Sequence, residues 1–303
     1  MQALSFYLLY PFLRLLALLP LRVLYFLADF LVYPVLYGLL GYRKKVVREN
    51  MRRVHPEKTE EERVAIEKKF YHYLADLFME TVKGFDISFH ELAERILLTN
   101  PELLQDKYKE KGGAIITLGH VGNYEWLAQY IPKELNLKMA VPYRKFTNSY
   151  FDKVFKASRE QGGAVLFHTK NTRDFVRNTK LPYVLALAND QSAPAEKSYW
   201  VKFLNQDTSF FEGTERMARQ LGVPVVFLYI RVTGRGKYEV TFRPIADDPH
   251  ATPLGQIMET HARFLEENIH EAPQYWLWSH KRWKHKKPEG FTYGFTRDIL
   301  QSS

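Results

Sequence analysis

The chain has 303 residues, with 43 Lys and Arg against 34 Asp and Glu, a formal net charge of +9, and no cysteine. This length accommodates one large α/β domain or two small ones around a sizeable core. The lack of cysteine excludes disulfides, thiolate nucleophiles and zinc sites with Cys ligands. The positive charge favours anionic partners such as nucleic acid, an anionic membrane face or phosphorylated substrates.

The N-terminal segment, residues 1–42, is overwhelmingly apolar and aromatic, interrupted only by Arg14, Arg22 and Asp29. It lacks the basic start of a cleaved signal peptide and is too long for one. Residues 23–41 are long enough to span a bilayer. Three prolines in the N-terminal segment, Pro11, Pro20 and Pro34, favour broken or kinked helices. We therefore expect a membrane anchor, as a single span or a hairpin in one leaflet. The alternative is an apolar core helix of a soluble protein.

Basic residues follow the apolar segment directly. They are Arg43, Lys44, Lys45, Arg48, Arg52 and Arg53. Positive charge beside a membrane segment is typical of the cytoplasmic side, and such a cluster also binds anionic headgroups. The alternative is a solvated helix face. We expect residues 43–303 to form one catalytic domain behind the anchor.

The rest of the chain alternates between strand and helix patterns. Thr59 and Glu62 have the spacing of a capping box at the start of a helix. Short apolar runs, interleaved with helical patterns, predict strands at residues 114–118, 137–142, 164–167, 183–188 and 223–232. A further strand at 238–244 should run antiparallel to the last of these. The pattern predicts an α/β fold with a mostly parallel central sheet flanked by helices.

The stretch "IITLGHVGNYEWL" places His120 where a predicted strand ends and a helix begins. In open α/β sheets this edge binds ligands. If the turn folds the imidazole onto the Glu125 carboxylate, one ring nitrogen is fixed and the other can accept a proton from a hydroxyl. The alternative is a structural histidine near a solvated glutamate. The sequence has no G-x-S-x-G, so a hydrolase-type serine is not expected, and it has neither a P-loop nor G-x-G-x-x-G for nucleotide binding. It has no H-E-x-x-H motif either, and no metal site is predicted.

"GHVGNYEWL" resembles the G-H-x-G-N-[WY]-E signature of the lipid A biosynthesis (lauroyl/myristoyl-type) acyltransferases, within the H-x4-[DE] lysophospholipid acyltransferase superfamily. "RKKVVRENMRRVHP", "YR", "ANDQ", "FLNQDTSFFEGTERMARQLGVPVV" and "APQYWLWSHKRWK" resemble further family blocks in the same order, so the resemblance covers essentially the whole chain. Asn205 stands where glycine is usual. "FEGT" is similar to the F-P-E-G-T-R of glycerophospholipid acyltransferases, with Phe211 and Glu215 replacing its proline and arginine.

The resemblance implies a glycerolipid acyltransferase-like fold and transfer of a fatty acyl chain from acyl carrier protein to a hydroxyl of a lipid A precursor. The thioester is a co-substrate, and no cofactor is expected. His120 would be the general base, oriented by Glu125. A further set of residues at the same edge is expected to bind substrate or the oxyanion, with Asp190 and Gln191 holding the acceptor or Arg144. They are Arg144, Asn123, Gly122, Asp190, Gln191, Glu212, Gly213 and Thr214. A surface role for Arg144, a turn cap at Asp190 and N-capping at Glu212 are the structural alternatives.

The expected partners are acyl carrier protein, a lipid A precursor or other membrane lipid, and an anionic membrane surface, at the cytoplasmic side of the bacterial inner membrane. The tail "YWLWSHKRWKHKK" mixes Trp276, Trp278 and Trp283 with basic residues, which suits a membrane interface or single-stranded nucleic acid. The anchor favours the membrane, so nucleic acid is not expected as a partner. Acylation of a glycerophospholipid or aminolipid, and a non-catalytic membrane scaffold, are the alternative functions.

Overall fold

The computed structural model describes residues 2–300 and begins with two apolar helical segments. Helix α1 covers Gln2–Leu18. Helix α2 (Leu21–Leu27) continues through π-helical turns at Ala28–Val32 and Pro34–Leu39. The continuous helix Leu21–Leu39 is long and apolar enough to cross a membrane by length and composition, which by itself is weak support for membrane association.

The N-terminal helices also pack against the rest of the protein. Helix α1 contacts α4 (Glu60–Lys83) and α8 (Ser149–Glu160), and α2 contacts α4. Asp29 accepts hydrogen bonds at 2.8 Å from both terminal nitrogens of Arg235, so this carboxylate faces protein. The predicted boundary between residues 42 and 43 stays a prediction.

The central sheet has seven strands. They are β1 (Ile96–Leu98), β2 (Gly113–Leu118), β3 (Met139–Tyr143), β4 (Ala164–His168), β5 (Tyr183–Ala188), β8 (Val225–Gly234) and β9 (Lys237–Ala246). Their order is β1-β9-β8-β2-β5-β3-β4, and every neighbouring pair is parallel except β8 and β9. The predicted mostly parallel sheet, with an antiparallel strand after β8, is confirmed.

Helices flank this sheet as predicted. Besides α4 and α8, they are α3 (Lys44–Val54), α5 (Phe89–Ala93), α6 (Pro101–Lys111), α7 (Tyr124–Glu134), α9 (Thr172–Asn178), α10 (Gly213–Leu221) and α11 (Gln256–Glu271). The capping box at the start of α4 is present, since Thr59 and Glu62 bond reciprocally. Strand β2 is buried along its whole length: Ile116 packs in one core cluster and Ile115 in another. Both faces of the sheet are therefore covered.

A second, antiparallel sheet of three strands lies after β5 in the chain, and the sequence patterns did not predict it. Its strands are β6 (Ser198–Phe203), β7 (Gln206–Phe211) and β10 (Gly294–Phe295). Leu204 and Asn205 make the tight turn between β6 and β7, both with positive φ. An asparagine tolerates this left-handed backbone better than most residues, which accounts for Asn205 at this position.

Candidate active site

The turn between β2 and α7 carries His120 and requires two glycines. A Cβ on Gly119 would lie 2.3 Å from the Leu265 side chain. Gly122 has φ +62°, and a Cβ there would lie 2.6 Å from the Ile230 side chain. Close packing and a left-handed backbone therefore fix the turn. His120 lies in the turn and not in the helix, as predicted.

The imidazole of His120 is held by Asp190. Its Nδ1–H donates to Asp190 Oδ1 at 2.5 Å, and its backbone N–H donates to Oδ2 at 2.7 Å. The register of the sheet explains why His120 and Asp190 are in contact. Strands β2 and β5 are parallel neighbours in which Leu118 pairs with Ala188. His120 and Asp190 each lie two residues beyond this pair, so they leave the sheet at the same edge.

The electrostatics of the pair favour a charged Asp190 and a basic His120. Burial alone would lower the pKa of His120, but the charge and hydrogen bond of Asp190 outweigh it, so the pKa is raised above its usual value. Burial would raise the pKa of Asp190, but the interaction with His120 holds it well below its usual range. The His120 side chain is 14% exposed and that of Asp190 3%. With its proton on Nδ1, the ring presents Nε2 as a proton acceptor.

Glu125 does not bond the imidazole, contrary to the prediction. Its carboxylate accepts two hydrogen bonds at 2.5 Å, from Nε and Nη2 of Arg159. Glu125 lies in the first turn of α7, which packs against α8, and α8 carries Arg159. The carboxylate that orients His120 comes instead from the neighbouring strand. The Glu125 charge still contributes to the raised pKa of His120, after that of Asp190. A catalytic role for Glu125 stays a prediction.

A cavity of about 840 Å³ opens beside His120. Part of its lining is apolar and comes from side chains of α7, β3, β4 and α9. They include Leu127, Ile131, Met139, Val141, Leu166 and Val176. The cavity is also lined by many cations. These are Arg144, Arg159, Arg173, Arg177, Lys197, Arg216 and Arg297. A cavity of this kind suits a ligand with a long apolar part and an anionic part.

Arg144 and Gln191 lie where a substrate could reach them. Arg144 lines the cavity and forms no ion pair or hydrogen bond with residues 2–300. The Gln191 amide nitrogen is 3.5 Å from His120 Nε2. With the ring proton on Nδ1, the Gln191 amide can donate a long hydrogen bond to Nε2, and Arg144 and Gln191 line the same cavity as His120.

The structure gives Gly122 and Asn123 a different role from the predicted one. The Gly122 N–H donates to the Tyr275 carbonyl at 3.3 Å. Asn123 is fully buried: its side-chain oxygen accepts from the Trp126 N–H at 3.0 Å, and its amide donates to Glu80. Neither residue lines the cavity. They shape the turn and cap α7, and a role for them as oxyanion donors stays a prediction.

Glu212, Gly213 and Thr214 line the cavity at the start of α10. The Asn189 side chain donates to Thr214 Oγ1 at 3.1 Å and ties this segment to the end of β5. The Glu212 carboxylate accepts from Arg297 and lies 3.5 Å from Arg216. It therefore anchors two of the cavity's cations rather than capping the helix.

The C-terminal tail completes the site, which the sequence analysis missed. Trp276 Nε1–H donates to Asp190 Oδ2 at 2.8 Å, and the Leu277 N–H donates to the His120 carbonyl at 3.1 Å. Trp276, Trp278 and Arg282 are buried. The predicted membrane-interface role is therefore wrong for Trp276 and Trp278, which pack in the core, whereas Trp283 is half-buried. The one sequence feature that could have indicated a role at the site is that these residues lie in the family-like block "APQYWLWSHKRWK".

Replacing Gly122 with alanine is expected to destabilise the protein by about 1–3 kcal/mol, because the Cβ adds a clash with Ile230 to the strain of a left-handed backbone. Thermal unfolding measures this. Gly112→Ala is the matched control, since Gly112 has φ +68° but no atom near its would-be Cβ. Equal losses in the two variants would contradict the packing argument.

Comparison with known proteins identifies the family. The model of the family described as "Bacterial lipid A biosynthesis acyltransferase" matches residues 1–285. A search of curated protein sequences finds no match to this chain. Among residues 2–300 no group of three or more His, Asp or Glu is arranged to hold a metal ion. The chain belongs to the bacterial lipid A biosynthesis acyltransferase family, whose members use a lipid substrate and an acyl donor.

Proposed function

We propose that the protein transfers a fatty acyl chain from an acyl carrier protein thioester to a hydroxyl of a lipid A precursor, in late acylation of lipopolysaccharide. The observation that carries the proposal is the position of the His120 ring, held by Asp190 on one side and lining a cavity with apolar and cationic walls on the other.

The reaction needs one proton acceptor beside the acceptor hydroxyl. His120 Nε2 takes the hydroxyl proton as the oxygen attacks the thioester carbonyl, and Asp190 stabilises the imidazolium that forms. The tetrahedral intermediate then collapses: the C–S bond breaks, and the imidazolium returns the proton to the leaving sulfur. Arg144 and Gln191 are the proposed donors to the oxyanion.

The cavity lining supports the two substrates. The apolar wall suits a fatty acyl chain. Four of the lining cations form no ion pair with residues 2–300: Arg144, Arg173, Arg177 and Lys197. Unpaired arginines bind phosphate well, because the guanidinium fork matches phosphate oxygens. A phosphorylated acceptor therefore fits this site, and the excess of lining cations suits an acidic carrier protein.

The N-terminal helices support a location at the inner membrane, with the catalytic domain on the cytoplasmic side. Large apolar side chains of α1 and of the helix Leu21–Leu39 are exposed, among them Leu8, Phe12, Phe26 and Phe30. An exposed apolar surface of this extent marks a membrane or protein contact. The basic residues at 43–53 follow it, although Arg48, Arg52 and Arg53 pair with Glu67, Glu60 and Glu49, respectively.

Deletion of the gene, with mass spectrometry of whole-cell lipids, tests the substrate. We expect loss of one secondary acyl chain from lipid A, and restoration by the wild-type protein but not by His120→Ala. An unchanged lipid A with an altered phospholipid or aminolipid would assign a different acceptor. Restoration by His120→Ala would indicate a scaffold and contradict catalysis by this site.

A further inference from the structure

A buried carboxylate lies behind the catalytic turn, outside the cavity. Glu80, in α4, is 1% exposed. Its Oε1 accepts from the Tyr25 hydroxyl at 2.7 Å, and its Oε2 accepts from Asn123 Nδ2 at 2.7 Å and from the Tyr238 hydroxyl at 2.5 Å. Among residues 2–300 it has no cationic hydrogen-bond or ion-pair partner.

Burying a carboxylate whose hydrogen-bond donors are all neutral costs desolvation free energy, so packing alone does not explain Glu80 at this position. Burial raises the pKa of Glu80 to about 6, against the lowering effect of its three hydrogen bonds. At pH 8 the group is therefore ionised and accepts from all three donors at once. A neutral side chain of similar size does not offer three acceptor positions at one point.

The contacts of Glu80 converge on the turn that carries His120. Asn123, three residues after His120, is oriented by Glu80 through its amide, and its side-chain oxygen then caps the Trp126 N–H. The Glu80 carbonyl also accepts from the Trp126 indole at 3.0 Å. The first turn of α7 is thus attached to α4 at two points. Tyr25 brings the helix Leu21–Leu39 to the same carboxylate.

We propose that Glu80 is a positioning residue: it fixes Asn123, and through Asn123 the turn that holds His120 against Asp190, and it connects this turn to the N-terminal helix. Glu80 touches neither substrate nor the imidazole. Its effect on acyl transfer rests on the proposed function, but its effect on the geometry of His120 does not.

Exchanging the two hydrogen-bonding partners tests this. Asn123→Asp places a second carboxylate 2.7 Å from Glu80, and Glu80→Gln removes an acceptor. In the double variant the two N–H groups of the introduced glutamine amide can donate to the introduced aspartate and to the Tyr238 hydroxyl oxygen, while the glutamine oxygen accepts from Tyr25. At pH 8 we expect Asn123→Asp to lower kcat at least tenfold with little change in KM, and the double variant to recover to within about threefold of wild type.

Asp76→Asn is the matched control, because Asp76 lies one turn earlier on α4 and bonds Arg235 rather than the catalytic turn. It should leave kcat within about twofold. Thermal unfolding of every variant separates loss of fold from loss of position. A double variant no better than Asn123→Asp, or an equal loss in Asp76→Asn, would overturn the proposal.

The second readout needs no substrate. The Nδ1 proton of His120, in its short bond to Asp190, should give a downfield proton NMR signal that His120→Ala removes. Asn123→Asp should shift or broaden this signal, and the double variant should restore it. If wild type transfers no acyl chain but the signal follows this pattern, the proposed function fails and the positioning role stands. If acyl transfer is present and the His120 Nδ1 proton signal is the same in Asn123→Asp as in wild type, the positioning role fails.

Discussion

Replacing His120 with alanine is expected to lower kcat for acyl transfer by about 10²–10⁴-fold, the usual contribution of a general base. The reason is that, within residues 2–300, no other proton acceptor lies where Nε2 does: Asp190 is turned toward Nδ1, and Glu125 is occupied by Arg159. The assay uses purified protein with an acyl carrier protein thioester and a lipid A precursor. The fold should survive, because alanine removes a side chain that reaches the cavity surface.

His168→Ala is the control for this experiment. His168 ends β4 at the same edge of the sheet, but its ring accepts from the Lys170 N–H and does not line the cavity. We expect its kcat to stay within about twofold of wild type. If kcat of His120→Ala equals that of wild type, the imidazole has no role in the mechanism.

Replacing Asp190 with asparagine is expected to lower kcat by at least about 10²-fold. The carboxylate accepts hydrogen bonds from His120 Nδ1, the His120 backbone and Trp276 Nε1. An asparagine has one accepting oxygen and turns an NH₂ group toward at least one of these donors. It also removes the charge that stabilises the imidazolium, and it no longer fixes the tautomer that leaves Nε2 free.

Glu125→Gln is the matched comparison for Asp190→Asn, since each exchanges a carboxylate near His120 for its amide. We expect Glu125→Gln to lower kcat by only about tenfold, through weaker binding of Arg159 in the cavity wall. A larger loss from Glu125→Gln than from Asp190→Asn would show that the predicted His120–Glu125 pair forms during the reaction.

The fold could be predicted because its signals are local. Short apolar runs bounded by turn residues specify buried parallel strands, and Gly119 and Gly122 marked the turn at His120. The partner of His120 could not be read in the same way. Asp190 is 70 positions away, and the contact depends on β2 lying beside β5 rather than beside β3. No periodicity in the sequence specifies that order, so the sequence predicts the nearer carboxylate, Glu125, as the partner of His120.

The tail shows a second limit of pattern reasoning. Tryptophans mixed with Lys and Arg have the composition of a membrane interface. In the structure Trp276 and Trp278 are buried, and the Arg282 guanidinium lies over the Phe210 ring while donating to the Ser209 carbonyl. The small sheet of β6, β7 and β10 provides this packing. The sequence pattern does not predict this sheet, so the composition of the tail alone indicates a membrane interface.

The pH dependence of kcat/KM in wild type, Asp190→Asn and Glu125→Gln tests the central claim, that Asp190 makes His120 the base. The rate should rise with pH as Nε2 loses its proton, through a pKa above the ordinary value for histidine. Without the Asp190 charge, only the weaker effect of the Glu125 charge opposes burial, so the pKa of His120 falls. The acidic limb of Asp190→Asn should therefore move to lower pH by about one unit or more, and that of Glu125→Gln should move less. A limb that moves in Glu125→Gln but stays in place in Asp190→Asn would contradict the account.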